Sequence, residues 1–397
     1  MVTNKEQNKL NVPHLRFPEF HGEWEKCKLG DIATLTKGSG ISKDQRSATG
    51  TPCILYGELY TTYKSEVINY VVSKTDISDK NLVRSCANDI IIPSSGETAI
   101  DISTARCVLS PDVLLGGDLN IIRLKDGDGR FFSYQLNGVR KHDIAKIAQG
   151  VSVVHLYGES IKGLTVSFPS NKEQQKISTL LSLIDERIAT QSKLIEDLKK
   201  LKSAIIEIEY TPNTKTTSPI GDVIEQISKR NKNNAIQNVL SVSNRQGFIK
   251  QSEQFENRNV ASEDTSNYKI VEQNDFAFNP ARINVGSIAR LTTFEKGIVS
   301  PMYVCFRTQE NVAPEYIDYF FESKHFYCEI QKRLEGSVRQ CLSFEGLCNI
   351  PLSLPSFEIQ QRIGKRIFTL EQKIKMETDL LELLNKQKQY LLRQMFI

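Results

Sequence analysis

The sequence predicts an α+β protein in which two repeated, mixed α/β domains are separated by two long helices. The helices are expected to pair as an antiparallel coiled coil with pseudo-twofold symmetry. Two observations predict this architecture. A strand-to-helix segment recurs at an offset of 186 residues, and each copy keeps the alternating four-and-three apolar spacing of a coiled coil. The stretch between the copies is far too long for a turn, so it is expected to fold as a domain of its own.

Each copy of the repeat begins with alternating apolar residues that end at a proline. This alternation is typical of a strand, and a proline at its end favours a turn. Ser170 and Ser356 directly follow the two prolines and are expected to be helix N-caps. A pair of glutamines, at 174–175 and 360–361, then opens the apolar period in both copies.

The predicted helices share a regular apolar seam. A core-facing helix of a globular domain usually has a wider apolar face and a shorter run, so the spacing favours a coiled coil. Polar residues interrupt the seam at matching places, Gln191 and Lys202 in the first copy and Glu377 and Lys388 in the second. The predicted seam residues are Ile177, Leu181, Ile184, Ile188, Ile195 and Leu198, followed by Ile363, Ile367, Leu370, Ile374, Leu381 and Leu384.

The segments between the helices have the composition of mixed domains with short strands. The second domain repeats the layout of the first in pattern more than in identity. The predicted strands of the first domain are Cys53–Tyr56, Val67–Val72, Asp89–Ile92 and Leu119–Leu124. The predicted boundaries are 1–22 for an N-terminal arm, 23–170 for the first domain, 171–210 for the first helix, 211–356 for the second domain and 357–397 for the second helix.

Length and composition fit a protein of two or three domains: 397 residues, 39% hydrophobic and 25% charged. There is no apolar run long enough to span a membrane, and the first ten residues lack the apolar stretch of a signal peptide, which predicts a cytoplasmic protein. The eight cysteines form no CxxC pair, so reduced thiols are expected. Because 51 basic residues face 47 acidic ones, any nucleic-acid footprint must be local or shared with a partner.

Motifs for catalysis are weak throughout the sequence. The segment 279–282 reads Asn-Pro-Ala-Arg and lacks the second proline and the aromatic residue of an amino-methyltransferase motif. The segment 38–40 reads Gly-Ser-Gly, without the remaining residues of a dinucleotide or phosphate loop, and is better explained as a turn. The five histidines show no ligand spacing. No catalytic residue and no metal site are predicted.

The chain resembles the specificity subunit of type I restriction-modification enzymes over essentially its full length. The resemblance depends on the opening stretch 12–38, on the FPS and LPS boundaries followed by a glutamine pair, and on the duplicated organisation. It implies two target recognition domains, each reading one half of a bipartite DNA sequence, with spacer helices between them. The second domain lacks the tryptophan segment around Trp24. This asymmetry is expected if the N-terminal arm completes the fold near the far end of the second helix.

The resemblance also implies partners. These are double-stranded DNA, two copies of the modification (methyltransferase) subunit, and motor-nuclease restriction subunits that join for cleavage, with no membrane involved. S-adenosylmethionine, ATP and magnesium would then belong to the partner subunits, with no cofactor in this chain. Apolar residues outside the seam, such as Leu183, Leu201 and Phe368, either widen the seam or form docking surface for the methyltransferase subunits.

Basic, amide and hydroxyl side chains near predicted loops are the candidates for DNA contacts. Phosphate contacts set affinity, whereas Arg, Lys, Asn and Gln at base edges set specificity. The candidates in the first domain are Lys37, Lys43, Arg46, Ser94 and Ser95, and those in the second are Arg245, Lys250, Arg282, Asn284, Arg339 and Gln340.

The length of the seam predicts the spacing of the two half-sites. About 29 residues at about 1.5 Å each give roughly 43 Å, or about 13 base pairs of DNA. Two other functions remain open. A coiled-coil adaptor that binds proteins through its globular domains would show no preferred DNA sequence, and a fused methyltransferase or nuclease is opposed by the missing motifs.

Overall fold

The computed structural model describes residues 11–78, 81–211, 217–244, 246–254, 264–336 and 340–397. The chain divides into two units. Unit 1 contains the described residues up to Ser192 together with Asp379–Ile397, and unit 2 contains the described residues of Lys193–Thr378. This division falls within each long helix, because each half of a helix packs against the core of one globular domain.

The strands of unit 1 are short. They are β1 Glu25–Lys28, β2 Ala33–Lys37, β3 Thr51–Ile54, β4 Val67–Ile68, β5 Lys74–Thr75, β6 Asp89–Pro93, β7 Ser95–Gly96, β8 Arg106–Val108, β9 Leu114–Leu115, β10 Leu119–Leu124, β11 Val154–His155 and β12 Thr165–Phe168. The short helices are α1 Leu29–Ile32, α2 Glu58–Thr61, α3 Ala99–Ile102, α4 Gly129–Asn137, α5 Lys141–Ile147 and α6 Gly158–Lys162.

Two long helices continue from one unit into the other: α7 Asn171–Glu209 and α12 Phe357–Gln394. The strands of unit 2 are β13 Thr217–Pro219, β14 Ile224–Ile227, β15 Val239–Ser243, β16 Gly247–Lys250, β17 Lys269–Glu272, β18 Phe276–Phe278, β19 Ile288–Arg290, β20 Lys296–Val299, β21 Val304–Thr308 and β22 Pro351–Ser353. The short helices are α8 Gln251–Gln254, α9 Pro314–Phe320, α10 Lys324–Arg333 and α11 Phe344–Cys348.

Each unit contains its own sheet, and the two sheets have corresponding strand orders. In unit 1 the strand order is β2-β10-β6-β8-β4, and in unit 2 it is β14-β21-β18-β19, so the first four strands correspond. The strand that precedes each long helix also pairs with the strand that opens its domain, β12 with β1 and β22 with β13. The duplication seen in the sequence is therefore a duplication of fold.

The predicted strands of the first domain differ from the observed ones in their bounds. Leu119–Leu124 is a strand as predicted, and β6 extends the predicted Asp89–Ile92 by one residue. The predicted strand Val67–Val72 is wrong beyond Ile68, because the chain bends there and Tyr70 is 74% exposed. The predicted strand Cys53–Tyr56 begins and ends two residues earlier, as β3.

The glutamine at the start of each long helix joins that helix to its domain. The backbone N–H groups of Gln174 and Gln360 donate to the carbonyls of Ser170 and Ser356, which precede the first helical residues. In unit 1 the buried Gln174 side chain donates to the carbonyl of Pro169 (2.8 Å) and accepts from the backbone N–H of Asp128 (2.9 Å). Gln360 makes the equivalent two bonds in unit 2, each 2.9 Å long.

The seam residues of the long helices are buried or half-buried. Ile177, Leu181 and Ile184 join the core of unit 1, and Ile363 and Ile367 join the core of unit 2. The other predicted seam residues are buried (Ile195, Leu384) or half-buried (Ile188, Leu198, Leu370, Ile374, Leu381).

Ion pairs show the direction of helix pairing within unit 2. Lys202 of α7 pairs with Glu371 of α12 (2.6 Å), and Glu209, further along α7, pairs with Arg366, which lies earlier in α12 (3.3 Å). Residues later in α7 therefore pair with residues earlier in α12, so the two helices are antiparallel within unit 2.

A buried lysine links the two helices to the domain in unit 1. The Lys388 ammonium contacts the carboxylates of Glu66 and Asp185, the latter at 2.6 Å, and all three side chains are about 90% buried. Asp185 also accepts a hydrogen bond from the hydroxyl of Tyr134 (2.8 Å). Burial raises the pKa of Glu66, and the Lys388 ammonium opposes that rise.

Unit 2 contains the same arrangement in a more exposed form. Lys202, 186 residues before Lys388, contacts Glu371 (2.6 Å) and Glu322 (2.7 Å), and the hydroxyl of Tyr319 donates to Glu371 (2.8 Å). Burial lowers the pKa of Lys202, but the two acids outweigh it and the net pKa is raised. The two lysines that interrupt the seam thus make charged contacts shared by helix and domain.

The N-terminal arm and the C-terminal end of α12 meet in unit 1. The backbone N–H of Leu15 donates to the carbonyl of Gln394 (2.8 Å). Trp24, the single tryptophan, lies edge-on to Phe396 (centroids 6.5 Å apart) and to Phe131 (5.6 Å). The expected meeting of the arm with the far end of the second helix is therefore present in the structure.

Candidate nucleic-acid interface

Unit 1 contains an open cleft of about 880 Å³ beside the ends of β3 and β9. One wall is the segment 40–46, which includes the predicted DNA contacts Lys43 and Arg46. The facing wall comes from residues 55–62, in and around α2, and contributes the phenol rings of Tyr56 and Tyr60. The cleft therefore combines cations, aromatic faces and backbone groups.

The guanidinium of Arg46 is held at this cleft by one hydrogen bond and one ion pair. Its Nε donates to the carbonyl of Lys43 (3.3 Å), and its Nη1 lies 3.6 Å from the carboxylate of Glu58. Glu58 is itself buried and accepts hydrogen bonds from the backbone N–H of Leu55 (2.8 Å) and the hydroxyl of Ser73. Arg46 remains 39% exposed, so its remaining N–H donors are available to a ligand.

Neither Cys53, which is fully buried in β3 next to the unit 1 cleft, nor Tyr60 of the cleft lining is an activated nucleophile. Burial, followed by the charge of Glu58, raises the pKa of the Cys53 thiol to about 11, so the thiol stays protonated at neutral pH. Burial, with the neighbouring Tyr56, also raises the pKa of Tyr60 above its usual range. Of the two, only Tyr60 lines the cleft and can contact a ligand.

The other predicted contacts of the first domain lie elsewhere. Lys37 is exposed at the end of β2. Ser94 is 7% exposed, and its backbone bonds to Asp118 and to Leu156 hold the loop after β6. Ser95 is half-buried and pairs with His155. Ser94 thus shapes the loop, and Lys37 is not among the residues that line the cleft.

Unit 2 contains a smaller cleft of about 370 Å³, beside the ends of β15 and β20. Arg282 is exposed on its wall, at the start of a short 3-10 turn that also contains the half-buried Asn284. The buried Asn279 side chain accepts from the backbone N–H of Ala281 (3.1 Å). The Asn-Pro-Ala-Arg segment is therefore a turn that presents Arg282.

The remaining candidates of the second domain are not brought together at this cleft. Lys250 is exposed at the end of β16, and Gln340 is exposed in a loop. Arg245 and Arg339 lie outside the described residues.

Several residues that line the two clefts were not among those predicted from the sequence. In unit 1 these are Tyr56 and Tyr60, and in unit 2 they include Asn244, Gln251 and Tyr303. Tyr56 and Asn244 closely follow a strand end, which is the place where binding loops concentrate. Their position just after a strand could therefore have identified them as candidates from the sequence.

Within the described ranges, no three His, Cys, Asp or Glu side chains cluster in a way that could hold a metal ion. No helix in the described part of the chain is long and apolar enough to cross a membrane.

The chain belongs to a known family of DNA-recognition proteins. The family described as type I restriction modification DNA specificity domain matches residues 21–200 and 212–386, so both units carry a copy. A protein with two such domains is a sequence-specific DNA-recognition subunit, and this assignment agrees with the duplicated fold.

Individual relatives are distant but similar along almost their whole length. The type I restriction enzyme MjaVIII specificity subunit of Methanocaldococcus jannaschii is 23% identical, with 97% of this chain and 94% of that protein covered. The putative type I specificity subunit S.MgeORF438P of Mycoplasma genitalium is 24% identical, with 94% of each covered.

Solved structures share the fold. The crystal structure of a type I restriction-modification S subunit from M. genitalium has a TM-score of 0.63 at 18% identity, covering 97% of this chain and 99% of that chain. A structure titled for complex assembly and conformational transition of the type I restriction-modification system has a TM-score of 0.52 at 13% identity, covering 93% and 96%.

Proposed function

We propose that this chain reads a bipartite DNA site, with one half-site for each unit, and directs two methyltransferase subunits to it. Motor-nuclease restriction subunits join the same assembly for cleavage. The observation that carries the proposal is the pair of units with one sheet order but differently lined clefts. One scaffold with two different linings suits two different half-sites. The chain is assigned to the cytoplasm, where the DNA is.

The chain itself is proposed to be non-catalytic. Its sequence carries no complete methyltransferase, phosphate-loop or metal-ligand motif. S-adenosylmethionine, ATP and magnesium are accordingly assigned to the partner subunits, which supply methyl transfer, DNA translocation and cleavage. Specificity is the contribution of this chain.

The experiment that tests this function is a genome-wide map of adenine methylation. Cells that carry this chain with its methyltransferase subunit are compared with cells that carry the methyltransferase alone. We expect a new bipartite motif that requires this chain. If the two proteins form a stable complex with an active methyltransferase and no motif appears, the recognition role is wrong and a protein-binding adaptor becomes the better explanation.

The apolar residues left exposed on the long helices are assigned to methyltransferase docking. Leu183 is 57% exposed on α7 and Leu383 is 61% exposed on α12, so neither is part of the buried seam. Buried apolar side chains at the centre of an interface dominate its affinity. Helices of the methyltransferase subunits are the proposed occupants.

Leu183→Glu is therefore expected to weaken methyltransferase binding by about tenfold or more, because a charge would be buried in the interface. The matched control is Thr190→Glu, which adds the same charge at an exposed polar position of the same helix. Binding can be measured by titrating the purified methyltransferase subunit. Equal affinities for the two variants would remove Leu183 from the interface.

The long helices are proposed to set the number of unread bases between the half-sites. A seven-residue insertion in each helix, after Ser192 and after Thr378, would keep the seam in phase and leave the helix-domain contacts of each unit intact. Seven residues add about 10.5 Å, or about three base pairs.

We expect the methylated motif to keep both half-sites and to gain about three unread base pairs, or methylation to be lost where the partners cannot follow the change. The control replaces the same heptads at constant length. A motif with unchanged spacing in the lengthened chain would show that the helices do not set the spacer.

A further inference from the structure

The two clefts occupy the same place in the two folds. In unit 1, β3 runs parallel to β9, with Cys53 opposite Leu114. In unit 2, β15 runs parallel to β20, with Val239 opposite Ile298. Cys53 and Val239 are separated by the same 186 residues that separate the sequence repeats. Each cleft opens where such a pair of parallel strands ends, and this edge of a sheet is a common place for ligand binding.

Part of each lining is equivalent and part is not. The segments 55–58 and 117–118 line the unit 1 cleft, and the corresponding segments in and around 241–244 and 300–303 line the unit 2 cleft. The remaining wall differs: in unit 1 it is the segment 40–46, which precedes β3, whereas in unit 2 it comes mainly from residues 279–287. The two clefts therefore occupy equivalent positions in the two units but are lined by different side chains.

The polar side chains on the two linings are those that read base edges. Arg pairs with the O6 and N7 atoms of guanine, and Asn and Gln pair with adenine. The unit 1 cleft offers Arg46, Lys43 and Gln45, and the unit 2 cleft offers Arg282 and Asn244 among others. Two different half-sites require different base-contacting side chains at equivalent places in the two units, and the two clefts provide them.

The geometry of Arg46 suits base reading. An exposed phosphate contact needs only a flexible charge, but guanine recognition needs a guanidinium plane held in a fixed orientation. The carbonyl of Lys43 and the buried carboxylate of Glu58 provide that restraint on one side of the group. Glu58 is a positioning residue here, because its own oxygens are occupied by Leu55 and Ser73.

We propose that the two clefts are the base-reading sites of this chain, and that Arg46 and Arg282 each recognise a guanine, one in each half-site, through the major groove. This inference rests on the proposed function and adds to it the location of the reading groups and the identity of one base in each half-site.

The test begins with the motif of the wild-type chain, measured by methylation mapping with the methyltransferase subunit. Arg46→Ala and Arg46→Lys are then mapped in the same way. We expect both to relax one guanine position of one half-site, by about 5- to 150-fold in discrimination, because lysine keeps the charge but not the planar fork. The other half-site and the spacer should stay unchanged. Arg282→Ala should relax a guanine position in the opposite half-site.

A binding experiment separates reading from a structural role. The purified complex with the methyltransferase is titrated with duplexes in which 7-deazaguanine, which lacks the N7 acceptor, replaces the assigned guanine. The wild-type complex should bind the 7-deazaguanine duplex more weakly than the guanine duplex. The Arg46→Lys complex should bind the two duplexes with equal affinity, because it has already lost the contact with N7. Lys146→Ala, at a lysine of α5 whose side chain is 77% exposed and does not line the cleft, is the control and should leave the motif unchanged.

Several outcomes would overturn the inference. One is a wild-type motif with no G·C pair in one half-site. Another is an unchanged motif in both Arg46 variants. A third is methylation that falls equally at all sites in Arg46→Ala and returns in Arg46→Lys, which would make Arg46 a phosphate contact. If the Arg46→Ala chain fails to form the complex, the motif methylated with the Arg46→Lys chain tests the inference alone. A wild-type chain that directs no bipartite motif would instead refute the proposed function.

Discussion

Lys388→Ala is expected to destabilise unit 1 by about 3–5 kcal/mol at neutral pH, since it leaves the buried carboxylates of Glu66 and Asp185 without the ammonium that pairs with both. Urea unfolding followed by tryptophan fluorescence measures this directly, because Trp24, the single tryptophan, is buried in unit 1. Lys386→Ala is the matched control on the same helix: its exposed pair with Glu382 should contribute less than about 1 kcal/mol.

The loss should also depend on pH. Burial already raises the pKa of Glu66, and removing the ammonium raises it further. A carboxyl whose pKa is higher in the folded state than in the unfolded state stabilises the fold at pH values below its unfolded-state pKa, near 4.5. This stabilisation is lost as the pH rises through the folded-state pKa. The penalty of Lys388→Ala should therefore grow from pH 5 to pH 8.

A neutral version of the site distinguishes charge from packing. Combining Lys388→Met with Glu66→Gln and Asp185→Asn removes every charge of the trio, and most of the lost stability should return. Lys202→Ala in unit 2 should cost less than Lys388→Ala, because its partners Glu322 and Glu371 are 47% and 35% exposed. An unchanged urea midpoint for Lys388→Ala would show that the trio does not stabilise unit 1.

Phe396→Ala is expected to cost about 3–5 kcal/mol and to shift the emission of Trp24. Phe396 is 2% exposed and contacts the rings of both Trp24 and Phe131, so the substitution leaves a cavity within the core of unit 1. Tyr390→Ala, at a residue that is 52% exposed on the same helix, should change stability by less than about 0.5 kcal/mol.

A chain that ends at Tyr390 should lose the fold of unit 1 altogether. It lacks four buried side chains of that core, and their combined contribution is comparable with the whole stability of a domain, about 5–15 kcal/mol. The missing side chains are Leu391, Leu392, Met395 and Phe396. A native Trp24 spectrum in this truncated chain would contradict the packing described here.

Sequence periodicity predicted the duplicated scaffold because that signal is local. The seam spacing, the proline before each helix and the glutamine after it all lie within one short segment. The partners of Lys388 could not be predicted in the same way. Glu66 and Tyr134 reach it from the globular domain, and their separation along the chain carries no pattern.

Only a few residues of each cleft were predicted from the sequence, for a related reason. Lys43, Arg46 and Arg282 were among the candidates, but each cleft needs walls from segments far apart in sequence. The two clefts also differ in one wall, so comparing the repeats could not locate it. Ser94 was chosen for its position after a strand, but its burial is set by the loop's own hydrogen bonds to Asp118 and Leu156.

The contribution of α12 to the core of unit 1 has a consequence for biosynthesis. Domains usually fold in the order in which the ribosome makes them, the N-terminal one first. Here the side chains that cover Trp24 and Phe131 come from residues 391–396, which are translated after all of unit 2. The first-made domain must therefore wait with an incomplete core until these residues have been made, by which time the residues of unit 2, between 193 and 378, have already been added. Translation that stops before residue 391 would therefore disrupt the half of the protein that was made first.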